Sequence, residues 1–175
     1  MQEELIIRNF NPGDWPDLYE YLSQPETVKY EPYDVLTQKQ AIREAASRSE
    51  NPCYYAVCLK ESGKLIGNCY LEPQEYGCFE IGFVFNANYR KRGYATRSAR
   101  ALMSRAFELM GANRVIACCN PENRDSYRLM ERLGMRREAH FVKNIYFQTD
   151  GEGKPIWQDT FVYAVLKEEW GSREN

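Results

Sequence analysis

The sequence lacks any long apolar run. None of its segments reaches the length of about 18 apolar residues that a membrane-spanning helix requires. The first four residues include two glutamates and are not followed by the apolar core of a secretory signal peptide. The sequence therefore predicts a protein without a membrane span or signal peptide, and a cytoplasmic location.

Several motifs of known chemistry are also missing. The cysteines, at positions 53, 58, 69, 78, 118 and 119, include no CxxC pair of the kind that binds zinc. They lie within predicted strands, where cysteine is a small apolar core residue, so neither a metal site nor a disulfide is expected. The chain has no GxGxxG, GxxxxGKS/T or GxSxG sequence. Dinucleotide-binding, P-loop and serine-hydrolase functions therefore have no support.

The composition is typical of a folded protein with an uneven charge. Apolar residues make up 43% of the 175 residues and charged residues 27%, which favours an ordered globular protein and one domain over residues 1–175. Basic residues number 7 and acidic residues 14 before position 90, against 16 and 11 from there on. This asymmetry favours a polyanionic ligand on the second half and a cationic one on the first.

The segment 78–110 combines a strand, a basic turn and a helix. Residues 78–85 are aromatic and β-branched, which predicts a mostly buried strand. Apolar residues recur at helical spacing over 95–110. Between them, residues 90–93 provide three cations and a glycine. Because a helix start has unpaired N–H groups and a partial positive charge, we expect this turn to hold an anion, most simply a pyrophosphate; a solvated loop is the alternative.

The rest of the pattern predicts further strands and helices. Strands are predicted at 5–10, 53–60, 64–71, 114–119, 137–147 and 157–166. Helices are predicted after a cap at Asp14, after a capping box from Thr37 to Gln40, and over about 124–133. This order predicts an α+β domain built on one sheet.

Two short motifs resemble signatures of the GNAT N-acetyltransferases. Arg90-x-x-Gly93-x-Ala95 resembles the acyl-CoA signature of that family, in which Gln or Arg precedes x-x-Gly-x-Gly/Ala between a strand and a helix. Asn123-x-x-Ser126, followed by Leu-Gly-Met, looks like the helix that follows the fifth strand of the family. The resemblance covers roughly residues 5–170.

The tail is similar to one branch of this family. The segments 144–147, 157–159 and 163–166 resemble the RimJ/RimL-like branch, which is typified by the ribosomal-protein alanine N-acetyltransferases. The resemblance implies a central, mostly antiparallel sheet of six to seven strands, flanked by about four helices and splayed at strands 4 and 5.

The resemblance also implies acetyl-CoA as co-substrate, and no metal. In the family, the splayed strands leave backbone groups that pair with the pantetheine arm, while the turn holds the pyrophosphate. Asn123 could bind a pantetheine amide, and it could equally cap its helix. The implied cofactor-binding residues are Phe83, Val84, Phe85, Arg90, Lys91, Arg92, Gly93, Tyr94, Ala95, Thr96, Asn123 and Ser126.

The implied reaction is direct attack of an amine on the thioester in a ternary complex. A cysteine acyl-enzyme is the alternative, although the sequence pairs no cysteine with a predicted base. It needs a base for the amine and an acid for the departing thiolate. Glu80 is the candidate base, because a carboxylate in an apolar strand has a raised pKa and because it matches a glutamate of several family branches. An exposed strand residue or an ion-pair partner is the alternative. Many relatives have a tyrosine that acts as the general acid at the position where this chain has Met130. Ser126 and Tyr127 are therefore the candidate acids here.

The amine acceptor is not identified by the sequence, and protein N-termini, polyamines and aminoglycosides all fit. Aromatic and acidic side chains, which favour a cation, form the candidate substrate-binding set: Tyr30, Glu31, Tyr33, His140, Trp157 and Asp159. A homodimer is left open.

Two other functions compete with the enzyme. One is a non-catalytic CoA-binding regulatory domain. The other is a nucleic-acid binder, which is disfavoured because no wider basic face accompanies residues 90–92.

Overall fold

A seven-stranded sheet forms the centre of the structure, a computed structural model that describes residues 3–171. Its strands are β1 Leu5–Asn9, β2 Tyr54–Leu59, β3 Leu65–Pro73, β4 Cys78–Phe85, β5 Arg114–Cys119, β6 Arg136–Ile145 and β7 Gln158–Leu166. They lie in the order β1-β2-β3-β4-β5-β7-β6. Every neighbouring pair is antiparallel except β4 and β5, which run parallel.

Helices cover both faces of this sheet. Within the described residues they are α1 Trp15–Leu22, α2 Pro25–Val28, α3 Gln38–Glu50, α4 Tyr94–Leu109, α5 Arg124–Arg132 and α6 Lys167–Gly171. Four of them have eight or more residues. The mixed α+β fold class and the central, mostly antiparallel sheet predicted from the sequence are therefore confirmed. None of the helices between residues 3 and 171 has the length and apolar character needed to cross a membrane.

Alternating strand residues separate two hydrophobic cores. Ala56 and Cys58 of β2 pack with α1 and α3, whereas Val57 packs in the core that contains α4 and α5. On β4, Phe79 and Ile81 belong to the α4 core. Because successive strand side chains point to opposite faces, Glu80 between them lies on the face of α1 to α3.

The sheet opens between β4 and β5. The two strands pair only over Cys78–Glu80 and Arg114–Ile116. Beyond these residues β4 stays paired with β3 as far as Phe85, and β5 stays paired with β7 as far as Cys119. The predicted splay is thus present, and we call the opening beyond Glu80 and Ile116 the fork.

Gly67 lets the sheet close tightly against the fork. It is paired with Phe85 of β4, and a Cβ atom at position 67 would lie 2.5 Å from the Phe85 ring and 2.8 Å from the carbonyl oxygen of Val84. Real Cβ atoms do not approach other atoms so closely. Glycine is required here because the Phe85 ring occupies the space of its missing side chain.

The structure differs from the sequence predictions at three local points. Asp14 is the residue before α1, but its carboxylate pairs with Arg8 at 2.7 Å and accepts the N–H of Asn11 at 2.8 Å instead of capping the helix. The short helix α2, which begins at Pro25, was not predicted, although proline suits a first helical turn. The short helix α6 after β7 was not predicted.

Candidate active site

Glu80 lies at the apex of the fork, as the last residue of β4 that pairs with β5. It is half-buried, and burial, followed by the charge of Glu72, raises its pKa. Glu72 lies directly opposite on β3, and the Tyr70 hydroxyl donates to the Glu72 carboxylate. The Glu80 charge also helps to raise the pKa of the Cys118 thiol on β5 to about 11, although burial is the larger cause. Glu80 is therefore a carboxylate with increased proton affinity, and it lies where β4 and β5 separate.

The start of α4 lies beyond the end of β4 and has the predicted character of an anion site. Gly93 is the residue before the helix, has a φ of 78°, and provides no side-chain cap. The first intrahelical bond runs from the Arg97 N–H to the Gly93 carbonyl oxygen at 3.0 Å. The N–H groups of residues 94–96 consequently have no acceptor within the helix. Nothing lies within 4 Å of a Cβ built on Gly93, so an anion can approach this backbone.

The basic side chains of the turn lie around this helix start. Lys91 has a left-handed φ of 62° and, like Arg90 and Arg92, is exposed. Arg90 donates to the carbonyl oxygen of Glu26 at 3.3 Å, and the Arg92 guanidinium lies 5.6 Å from the centre of the Tyr89 ring. The turn therefore adds positive charge beside the unpaired amides, which fits a diphosphate.

The other predicted cofactor-binding side chains on α4 differ in their exposure. Tyr94 is buried, and its hydroxyl donates to Glu3, so only its backbone amide is available to a ligand. Ala95 and Thr96 are half-buried.

The start of α5 forms the opposite wall of the fork. Asn123 accepts the Ser126 N–H at 3.2 Å through its side-chain oxygen, which is the capping role considered from the sequence. That bond leaves the Asn123 amide N–H groups for a ligand. Ser126 lies beside Cys119, where its hydroxyl counteracts the burial that raises the pKa of this thiol to about 11. The Tyr127 ring packs edge-on against Phe161 of β7, with 6.2 Å between ring centres.

Glu31 and Tyr33 lie together on the α1 side of the sheet. Burial raises the pKa of Glu31 to about 7, an effect that the Arg48 charge partly offsets. Arg48 is only 3% exposed, donates to Glu44 at 2.7 Å, and lies 4.9 Å from the centre of the Tyr54 ring. A polar and aromatic wall therefore runs from Glu31 towards the strands.

The wall continues across β2 and β3 to the fork. The ring of Tyr54 lies 5.2 Å from that of its cross-strand partner Tyr70, which in turn contacts Glu72. This sequence of contacts joins the Glu31 region to Glu80.

Tyr30 lies at a different place. Its hydroxyl donates to the carbonyl oxygen of Glu122 at 3.4 Å, in the loop between β5 and α5. Together with the bond from Arg90 to Glu26, this contact joins the segment 26–30 to both walls of the fork.

The three remaining predicted substrate residues lie on the β6–β7 hairpin. Asp159 accepts the Lys143 N–H at 2.8 Å and lies 2.7 Å from His140, and these two bonds lower its pKa. The His140 ring packs edge-on against Phe161 at 4.9 Å, and the half-exposed Trp157 ring packs against Tyr146 at 5.2 Å. The structure therefore divides the predicted set into Glu31 with Tyr33, Tyr30 at the fork, and the hairpin group.

Sequence reasoning missed four residues of the wall beside Glu80: Arg48, Tyr54, Tyr70 and Glu72. A signal for two of them was present, because a short turn centred on Tyr76 pairs residue 72 with 80 and residue 70 with 82. No signal of this kind could have placed Arg48 over Tyr54, since α3 meets β2 only through tertiary packing. Within residues 3–171, no group of three or more His, Cys, Asp or Glu side chains is arranged to hold a metal ion.

Comparison with known proteins agrees with this geometry. Residues 4–136 match the family described as the acetyltransferase (GNAT) domain. The chain belongs to this family. It is 38% identical over 173 residues to the Bacillus subtilis protein "Uncharacterized N-acetyltransferase YnaD", with 96% of each chain covered. It is accordingly a GNAT-family N-acetyltransferase.

Solved structures of this family share the fold. A GNAT-family acetyltransferase from Bacillus anthracis is 36% identical and superposes with a TM-score of 0.86, covering 96% of this chain and 98% of the other. The spermidine N-acetyltransferase of Vibrio cholerae, solved with CoA and spermine, has a TM-score of 0.77 at 15% identity, covering 95% and 97%. At that identity the likeness concerns the fold alone.

Proposed function

We propose that this GNAT enzyme uses acetyl-CoA to acetylate a primary amine by direct attack in a ternary complex. One observation carries the proposal: the part of β4 beyond Glu80, which has no β5 partner, is followed along the chain by the uncapped start of α4 at Gly93. An anion site and an open strand edge so related suit a ligand with a diphosphate at one end and an extended amide arm at the other.

The proposed cofactor contacts follow from this placement. The amides of residues 93–96 hold the diphosphate, with charge from residues 90–92. The pantetheine arm pairs with the β4 backbone at 83–85, which has no β5 partner. The Asn123 amide contributes a donor from the other wall, and Ser126 stands close to it on the first turn of α5.

The proposed chemistry transfers one acetyl group. The amine nitrogen attacks the thioester carbonyl carbon, the C–N bond forms, and the C–S bond breaks. Glu80 accepts the proton from the nitrogen, and a hydroxyl of Ser126 or Tyr127 supplies a proton to the leaving thiolate. Water then returns a proton to that hydroxyl and takes up the proton from Glu80, so both groups regain their starting states. The raised pKa of Glu80 supports its role as base, because a base is most effective when its pKa approaches the working pH.

We propose that the acceptor is a cationic amine that reaches Glu80 along the face of α1 to α3. The acidic and aromatic side chains from Glu31 and Tyr33 to Glu72 support this route. Tyr30 and the hairpin residues His140, Trp157 and Asp159 remain proposed contacts for the more distant part of a long acceptor. A protein N-terminus, as acetylated by the RimJ/RimL-like branch, and a small-molecule amine both fit this description.

A thiol-release assay tests the function. The intact chain is incubated with acetyl-CoA and, separately, with amino-terminal peptides, polyamines or aminoglycosides, and free CoA thiol is measured. We expect release above the amine-free rate for at least one class. A thermal shift with acetyl-CoA but no thiol release with any amine would instead support a non-catalytic CoA-binding domain.

A nucleic-acid binder would behave differently in a binding experiment. It would bind oligonucleotides in a salt-sensitive manner, and acetyl-CoA would not displace them. The single-domain organisation, the cytoplasmic location and the homodimer stay predictions, and sedimentation velocity of the purified chain measures the last of these.

A further inference from the structure

Two carboxylates face each other at the apex of the fork, and the proposed chemistry uses only one of them. Glu72 on β3 and Glu80 on β4 are direct cross-strand partners in an antiparallel pair. Side chains opposite each other in such a pair have Cβ atoms about 5 Å apart and share one face of the sheet. Like charges in this arrangement repel, so the pair lowers the stability of the fold.

The groups around the two carboxylates do not cancel this repulsion. From β3, Tyr70 donates its hydroxyl to the Glu72 carboxylate, and from β5 the Cys118 thiol lies within the influence of Glu80. Burial and then the Glu72 charge raise the pKa of Glu80, and no cation among the described residues counteracts them. The Tyr70 ring itself packs against the ring of Tyr54, with 5.2 Å between ring centres.

We propose that Glu72 is a positioning residue for Glu80, and that the two carboxylates act as one acid–base unit at the fork, with Tyr70 fixing Glu72. In its catalytic part this inference rests on the proposed function, since Glu80 is the base there. The proton that leaves the attacking nitrogen binds to Glu80, where the neighbouring Glu72 carboxylate stabilises the protonated form. It returns to water after the acetylated product leaves.

Carboxyl titration by NMR tests the pairing without any acceptor. The full chain, labelled with ¹³C at glutamate carboxyl carbons, is titrated without acetyl-CoA, and the Glu80 signal is assigned from its loss in Glu80→Gln. In Glu72→Gln we expect the Glu80 midpoint to move to lower pH, because the repelling charge is gone. Should this variant not fold, Glu72→Ala carries the same test, since it also removes the charge.

Two further variants separate a charge effect from a structural one. Glu72→Asp retains the charge and should keep the Glu80 midpoint close to that of the wild type. Glu75→Gln removes an exposed carboxylate from the turn between the same strands and should also leave it unmoved. A Glu80 midpoint that is unchanged in the folded Glu72→Gln variant, or that moves equally in Glu75→Gln, would overturn the pairing.

The kinetic consequence is measured separately, with an acceptor from the thiol-release assay. The acidic limb of the pH profile of kcat/KM should move to lower pH in Glu72→Gln, in the direction of the NMR midpoint. If the acidic limb of the kcat/KM profile stayed in place in Glu72→Gln while the Glu80 NMR midpoint moved, Glu72 would have no role in catalysis. The NMR result does not depend on an acceptor, so a failure of the proposed function would be distinguishable from a failure of the pairing.

Discussion

At the residue scale, the central group is a carboxylate held at the end of a strand pairing. Glu80 is half-buried and occupies the last position at which β4 and β5 still touch. Phe79 and Ile81, which flank Glu80 on β4, point into the α4 core. Their packing, rather than the Glu80 carboxylate, fixes this part of the strand. Position and charge together make it the residue whose replacement should affect the reaction most.

Replacing Glu80 with Gln should lower kcat by about 10²–10⁴-fold, the usual contribution of a positioned base. The affinity for acetyl-CoA should change little, since the diphosphate site lies at α4. Steady-state thiol release and calorimetric titration measure the two quantities, with Glu75→Gln as the control in the neighbouring turn. Wild-type turnover in Glu80→Gln would show that Glu80 is not the base.

Glu31 should make stability depend on pH. Its pKa rises from an ordinary value of 4.5 to about 7 on folding, so the folded protein binds this proton more tightly than the unfolded chain. The Glu31 carboxyl group therefore leaves the free energy of unfolding unaffected below pH 4.5. Its ionisation lowers that free energy progressively between pH 4.5 and 7, and by the full amount above pH 7. Glu31→Gln should raise the free energy of unfolding by about 1–3 kcal/mol at pH 8 and leave it nearly unchanged at pH 4.

Urea unfolding of the wild type and Glu31→Gln at both pH values measures this difference. Groups that titrate alike in the two proteins contribute equally to both free energies of unfolding, so they cancel in the difference. An equal stability difference at pH 4 and pH 8 would mean that the Glu31 carboxyl is not perturbed by folding.

Gly67 offers a packing test close to the fork. A methyl group at this position would clash with the Phe85 ring and the Val84 carbonyl, so Gly67→Ala should destabilise the protein by about 1–3 kcal/mol. Gly13→Ala is the matched control, because nothing lies within 4 Å of a Cβ there. Chemical denaturation measures both. Equal stability of the two variants would contradict the close approach of Phe85 to β3.

At the element scale, the turn before α4 combines two features that the fold needs and that a ligand can use. Gly93 has a left-handed backbone, and the absence of a side-chain cap leaves the first helical N–H groups available. Because a Cβ at Gly93 meets nothing within the chain, the glycine is required by its backbone conformation rather than by packing.

Gly93→Ala should therefore cost about 1 kcal/mol of stability, and Gly93→Asn less, because asparagine tolerates the left-handed conformation better. Both side chains would obstruct a diphosphate approaching this backbone, so both should weaken acetyl-CoA binding. Thermal unfolding and calorimetric titration separate these two effects. A variant that loses stability but binds acetyl-CoA as the wild type does would place the diphosphate elsewhere.

The elements that were predictable from the sequence are those with local signals. The strands at 78–85 and 114–119 match to the residue, since each is a β-rich run bounded by turn residues. The capping box at Thr37 and Gln40 is present because both partners lie within one helical turn. Asp14 failed as a cap because Arg8, on the preceding strand, competes for its carboxylate.

The acceptor side was less predictable for the same physical reason. Its predicted residues share a chemical type but come from distant segments. The sequence could not tell that Asp159 would bind the hairpin backbone at Lys143 while Glu31 would lie near Arg48. Cross-strand register and helix docking decide such groupings, and neither appears in local composition.

At the scale of the whole molecule, the chain divides its charge between its two halves. The basic turn and α4 belong to the second half of the chain, which has the excess of cations, while Glu31 and Glu72 belong to the acidic first half. An anionic cofactor would meet the basic turn and a cationic acceptor would meet the acidic side chains, so each ligand would approach groups of the opposite charge.

The central claim is that the start of α4 and the adjoining fork form the acetyl-CoA site, and calorimetric titration of the full chain with acetyl-CoA tests it most directly. The account predicts a saturable heat signal with one site per chain. The absence of any binding heat at millimolar acetyl-CoA would contradict it.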